Sequence, residues 1–170
     1  MDSINIFEGL TTEESALVVD AIPLVTILIA GADGKIDTAE VAWSKKLTEI
    51  RTYAHPDLLN DYYIEVGKTF MDRLNHYIGE LPETPAQRNN LISDKLVGIN
   101  SIFPKMAPIV AKRFHTSLTT FALHVAKASG GWLGFGSISK AEKAWIDLPM
   151  LDVPVYVEPE IEMEEPDEEV

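Results

Sequence analysis

The stretch that decides the fold is residues 31–43, GADGKIDTAEVAW. It overlaps the end of an apolar run at residues 21–32, and it places Asp33 and Gly34 before a second helix that begins at Asp37. A glycine just after an alanine-rich helix end suits the left-handed conformation in which many helices terminate. The stretch therefore predicts a helix, a tight turn and a second helix.

The same pattern returns near the end of the sequence. Residues 36–43, IDTAEVAW, match residues 138–145, ISKAEKAW, in the pattern I-x-x-A-E-x-A-W. Such self-similarity indicates a repeated structural unit. We therefore expect two related helix-turn-helix hairpins, each with a tryptophan, Trp43 or Trp145, that anchors it in the core.

Helix capping explains much of this repeat. Asp37 with Glu40, and Ser139 with Glu142, have the spacing of a capping box, in which two side chains bond each other's backbone amides. A cap contributes about 1 kcal/mol to stability. Capping is therefore a sufficient structural reason for these residues, although the first copy has more carboxylates than capping needs.

Apolar residues at helical spacing predict six helices in all. Their expected starts carry capping or proline residues: Thr11, Asp37, Pro56, Thr84, Pro104 or Pro108, and Ser139. Pro23 should kink the first helix or begin a new segment, and Thr84 should open a capping box with Pro85 as the first helical residue. The expected buried faces of the third, fourth and fifth helices comprise Leu59, Tyr63, Val66, Phe70, Leu74; Leu91, Ile92, Leu96, Ile99, Ile102; and Val110, Phe114, Leu118, Phe121, Val125. Helices joined by short connections imply an all-α bundle.

Charge divides the chain into a domain, residues 1–149, and a tail, residues 150–170. The net charge is −13, and residues 158–170 carry eight acids and no base. Such a chain should be repelled by nucleic acid and anionic lipid. We expect the end of the tail to be disordered; the alternatives are a docking segment for a basic partner, which Ile161 and Met163 would suit, or an internal mimic that covers the domain's own site.

Composition also bears on the compartment. The longest apolar run is too short for a membrane span, which needs about 20 apolar residues, and no signal peptide precedes it. The chain has no cysteine, so it has neither disulfides nor thiolate metal sites. A cytoplasmic protein fits these properties.

Several acidic side chains crowd the first turn and suggest a metal ion. Residues 33–40 match the second half of a calcium loop, D-G-x-I-x-x-x-E, but the first and third loop positions fall on Ile29 and Gly31, which offer no side-chain oxygen. A reduced site could use Asp33, Asp37, Glu40 and the backbone carbonyl of Lys35. Clustered carboxylates repel one another unless a cation offsets them, and oxygen ligands favour Ca²⁺ or Mg²⁺.

Residues 30–40, AGADGKIDTAE, together with residues 126–145, AKASGGWLGFGSISKAEKAW, resemble the TerB-like family associated with tellurite resistance. The resemblance spans about residues 16–148. It implies an all-helical domain with divalent-cation binding and a role in stress-linked or membrane-associated assemblies rather than catalysis. Carried over by position, it points to Asp33, Asp37 and Glu40, with Glu142 as a contributor from the second hairpin.

Other functions are weighed against a binding module. Residues 129–137, SGGWLGFGS, lack the G-K-[ST] ending of a phosphate loop; their three large apolar side chains either fold back on the body or mark a partner or membrane-surface contact. The four histidines have no metal-site spacing, and no catalytic motif occurs. We therefore expect no enzyme activity and an unidentified protein partner; the alternatives are a purely structural interaction domain without metal, or a weak metal-dependent hydrolase.

Overall fold

A computed structural model of the chain describes residues 5–36, 38–53, 58–128 and 138–157. Its α-helices are α1 (Thr12–Ala30), α2 (Thr38–Tyr53), α3 (Asn60–Glu80), α4 (Pro85–Val97), α5 (Pro108–Ala128) and α6 (Lys140–Lys143). Two 3-10 turns, Gly98–Ser101 and Phe103–Lys105, connect α4 to α5. The described residues contain no strand, and the helices pack on one another as a bundle. The predicted all-α fold with about six helices is confirmed.

Helix α1 lies at the centre of the bundle. Every residue from Val18 to Ala30 is buried, and α1 contacts α2, α3, α4 and α5. The helix continues through Pro23, so the prediction of a new segment there is wrong. Packing on all sides outweighs the loss of one backbone donor, a compensation open to a helix whose stability comes mainly from tertiary contacts. In the described part of the chain, no helix combines the length and apolarity that a membrane crossing requires.

The apolar faces predicted for α3 and α5 are confirmed, because every residue named for them is buried. The face predicted for the fourth helix is correct only in part. Leu91 is 45% exposed, and the helix ends at Val97, so that Ile99 and Ile102 lie in the following turns although both are buried. A Cβ atom on Gly98 would come within 2.9 Å of Leu17. The glycine at the end of α4 therefore leaves room for the side chain of Leu17 on α1.

The structure confirms several predicted helix starts but not every predicted cap. Thr11 caps α1 in a complete capping box with Glu14, and α5 begins at Pro108, the second of its two predicted starts. Pro85 is the first residue of α4, but the side chain of Thr84 makes no capping hydrogen bond, so the predicted capping box is wrong. Helix α3 begins at Asn60, and the predicted start at Pro56 lies outside the described residues.

Polar groups also join the helices. The buried carboxylate of Asp20 in α1 accepts hydrogen bonds from the guanidinium of Arg73 and, at 2.7 Å, from the hydroxyl of Tyr77, both in α3. Arg51 in α2 donates to the hydroxyl of Tyr63 and to the carbonyl of Ser117, each at 2.7 Å. These bonds fix α1 against α3, and α2 against α3 and α5.

Candidate functional site

The turn between α1 and α2 is short and closed by backbone hydrogen bonds. The amide of Gly31 donates to the carbonyl of Ile27 at 3.0 Å, and the amide of Gly34 donates to the carbonyl of Gly31 at 3.1 Å. Gly34 has φ +130°, a conformation that residues with side chains rarely adopt. The predicted glycine turn is therefore present at Gly34; its counterpart Gly130 lies outside the described residues.

A buried arginine from α4 fills this turn. The guanidinium of Arg88 donates to the carbonyl of Gly31, lies 3.5 Å from that of Gly34, and donates at 3.2 Å to that of Glu83. Arg88 is 5% exposed, and burial lowers its pKa. A Cβ atom on Gly31 would lie 2.8 Å from the guanidinium. Glycine at this position therefore permits the contact, and a resident positive charge already lies against the turn carbonyls.

Four of the five residues predicted to bind a metal lie among the described residues. Asp33 and Lys35 are exposed, whereas Glu40 in the first turn of α2 is only 3% exposed. Asp37 lies outside the described residues. Within the described ranges, no three Asp, Glu or His side chains gather as a metal site would require, so Asp33, Glu40 and Glu142 do not form one by themselves.

The second hairpin carries a complete capping box. The hydroxyl of Ser139 accepts from the amide of Glu142 at 3.1 Å, and a carboxylate oxygen of Glu142 accepts from the amide of Ser139 at 2.6 Å. Glu142 is 6% exposed, and its Oε1 atom has no hydrogen-bond partner among the described atoms. Capping therefore explains one oxygen of this side chain and leaves the other unpaired.

A groove of about 560 Å³ runs between α2 and α5 beside the first turn. From α2 it is lined by Ala39, Ala42, Trp43 and Lys46. From α5 it is lined by His124, Lys127 and Ala128. Trp43 is half-buried in this wall, with the ammonium of Lys46 5.6 Å from its ring centre. The expectation that Trp43 anchors the core is therefore wrong, whereas Trp145 is partly buried against the core.

Positive charge borders the groove. The ammonium groups of Lys46 and Lys127 form no salt bridge with a carboxylate of the described residues. Burial lowers the pKa of His124, and the positive charges of Arg51 and Lys127 lower it further. A cationic border around an aromatic wall is thus present on a chain of net charge −13.

Sequence reasoning missed this groove, although its pattern is visible. Residues 39, 42, 43 and 46 follow the i, i+3, i+4, i+7 spacing of one helix face, and residues 124, 127 and 128 follow i, i+3, i+4. The first face is apolar and ends in a lysine, which a core-facing helix would rarely show. What the sequence could not show is that the two faces border the same space.

Comparison of the chain with family models, curated proteins and solved structures finds no match. The resemblance to the TerB-like family accordingly stays a prediction.

Proposed function

We propose that this chain is a non-catalytic interaction domain whose α2–α5 groove binds an acidic segment of a partner protein. The observation that carries the proposal is the groove itself, where Trp43 lies beside the ammonium of Lys46 and Lys127 lines the opposite wall. Binding pockets are mostly apolar with a few placed polar groups, and this groove has that composition. The TerB-like resemblance also favours a binding role over catalysis.

The chemistry of the groove specifies its ligand. Its alanines and Trp43 suit an apolar side chain, and its lysines suit carboxylates on either side of that side chain. A nucleic acid ligand would need a long basic track to offset the repulsion from the net charge of −13. A short peptide in which glutamates alternate with isoleucine or methionine meets both requirements of the groove.

Replacing Trp43 with alanine in the full chain is expected to weaken binding of such a synthetic peptide by about tenfold or more, because buried aromatic anchors dominate binding energies. Fluorescence anisotropy of the labelled peptide measures the affinity. Lys46→Gln combined with Lys127→Gln should weaken binding and reduce its salt dependence. The matched control is Lys68→Gln, an exposed lysine on α3. Equal affinity of the native chain and Trp43→Ala would contradict the proposal.

A second candidate function is divalent-cation binding at the first hairpin, which the burial of the Glu40 carboxylate beside the α1–α2 turn favours. The ion would be Ca²⁺ or Mg²⁺, held by Asp33, Asp37, Glu40 and the carbonyl of Lys35. Such an ion would hold the start of α2 in place without taking part in a reaction.

Millimolar Ca²⁺ or Mg²⁺ is then expected to raise the melting temperature relative to EDTA, because an ion that binds only the folded state stabilises it. A concentration near 100 times the Kd would add about 2.7 kcal/mol. Asp33→Asn should abolish the shift and leave peptide binding in the groove unchanged. If Asp37→Ser retains the full shift, Asp37 acts only as a helix cap; no shift in the native chain would leave a structural domain without metal.

A further inference from the structure

We propose that the occupant of the α2–α5 groove is this chain's own acidic C-terminal segment, residues 158–170, which places Ile161 and Met163 against Trp43. This inference rests on the proposed function of the groove and adds its regulation: the segment competes with the partner's acidic peptide. Two features of the same chain support the inference. The groove on the body carries lysines that form no salt bridge with the described carboxylates, and the C-terminal segment is acidic and contains apolar side chains.

Charge complementarity is the first argument. The groove presents Lys46 and Lys127, neither of them in a salt bridge with the described carboxylates. Residues 158–165, EPEIEMEE, alternate glutamates with proline, isoleucine and methionine. This is the pattern that the groove requires of a ligand. Residues 129–137, which also follow the groove in sequence, contain no charged side chain and would leave the lysines unpaired.

The point at which the segment leaves the body is fixed. The side-chain amide of Asn100 donates to the carbonyl of Met150 at 3.0 Å and accepts from the amide of Asp152 at 2.9 Å. Leu151 is buried, but Val153, Val155 and Val157 are 62%, 84% and 81% exposed. The chain therefore leaves the body beside the Gly98–Ser101 turn, and these three valines lie on the surface.

The length of chain beyond the Asn100 contacts sets the reach of the segment. Arg88, near the start of α4, contacts the α1–α2 turn, whereas Asn100 lies just beyond the other end of that helix. A helix of 13 residues is about 20 Å long. An extended chain covers roughly 3.3 Å per residue, so the path from Asp152 to Ile161 spans up to about 30 Å. A tethered segment within reach acts at an effective concentration near the millimolar range, which makes even a weak contact substantial.

The test uses the full chain with and without an altered tail. The tail variant combines Glu160→Gln, Ile161→Ser, Glu162→Gln and Met163→Ser, which keeps the chain length. The probe is the labelled synthetic peptide of alternating glutamate and isoleucine. We expect the tail variant to bind this peptide about tenfold or more tightly than the native chain, because the competing segment no longer holds the groove.

A spin-label experiment tests the proximity of the segment to the groove directly. The sequence has no cysteine, so Asp167→Cys accepts a single spin label. We expect the label to broaden the indole signal of Trp43 and the amide signal of Ala42 at low salt, and the broadening to disappear in the tail variant. The screening length falls from about 30 Å at 0.01 M salt to about 3 Å at 1 M, so added salt should reduce the broadening.

The outcomes separate this inference from the proposed function. Equal and measurable peptide affinity in both chains, without broadening, overturns tail docking and leaves the groove as a partner site. No peptide binding and no broadening in either chain overturns both. Broadening that arises between labelled and unlabelled molecules assigns the groove to a second copy and overturns docking within the chain. Residues 129–137 are a further possible occupant, tested by the triple variant Trp132→Ser, Leu133→Ser and Phe135→Ser. If peptide affinity rises only in this variant, residues 129–137 occupy the groove, and docking of the C-terminal segment is overturned.

Discussion

Replacing Arg88 with methionine is expected to lower the free energy of unfolding by about 3 kcal/mol. The substitution keeps an apolar stem but removes the donors to the carbonyls of Gly31, Gly34 and Glu83. Hydrogen bonds to a charged group contribute about 1.5–3 kcal/mol each, and unpaired buried acceptors add a cost of similar size. Urea unfolding followed by circular dichroism measures the change. Arg88→Lys should not restore stability, because one ammonium cannot reproduce the planar fork of the guanidinium.

Gly31→Ala supplies the matched test of the same contact. Its Cβ would lie 2.8 Å from the Arg88 guanidinium and 2.9 Å from the carbonyl of Ile27. The double variant should lose less than the sum of the two single losses, with a coupling of about 0.5–3 kcal/mol, since methionine removes the first overlap. Gln87→Ala, at an exposed site on the same helix, serves as the neutral control. Strict additivity would show that Arg88 and Gly31 act independently.

Stability is expected to fall steeply as the pH rises above about 10, the ordinary pKa of tyrosine. Burial raises the pKa of Tyr62, Tyr63 and Tyr77, and a hydrogen bond to Asp20 raises that of Tyr77 further. The folded state therefore keeps protons that the unfolded state releases, so the free energy of unfolding decreases with pH. Each tyrosine contributes at most about 1.4 kcal/mol per pH unit. Urea unfolding at several pH values between about 8 and 11 measures the slope.

Tyr77→Phe tests the assignment of this slope. The variant loses the hydrogen bond to Asp20, which should lower its stability at neutral pH. Above about pH 10, its free energy of unfolding should decline less steeply than that of the native chain, because one fewer tyrosine releases a proton on unfolding. Absorbance of the tyrosinate ion, followed in the folded state, should show that these three side chains ionise only as the chain unfolds. A slope identical to that of the native chain would show that Tyr77 does not contribute to the alkaline transition.

Periodicity predicted the parts of the fold that depend on one helix at a time. The faces of α3 and α5 were correct because a 3.6-residue pattern reports directly which side of a helix is apolar. The helix start at Thr11 and the capping box at Ser139 were also correct, since the capping partners lie three residues away. These features require only local information, and the sequence contains it.

Two further misses concern contacts between distant segments. Arg88 reads as an ordinary surface residue of α4, because nothing nearby shows that its guanidinium enters a turn 54 to 57 residues earlier. Trp43 was assigned to the core from its place in the repeated hairpin, although its neighbours Ala39 and Ala42 are exposed and open a groove toward α5. The metal-site prediction stays a prediction; it rests on carboxylates close together along the chain, and it did not anticipate that a side chain from α4 would supply positive charge to the same turn.

The burial of α1 on every side has a consequence for synthesis of the chain. This helix leaves the ribosome before any of the helices that cover it, and its last partner, α5, is complete only at Ala128. At about 5–20 residues per second, its apolar surface waits on the order of five to twenty seconds for that cover. A nascent chain of this design is a natural client for a holding chaperone, and ribosome pausing within α3 or α4 would lengthen its exposure to aggregation.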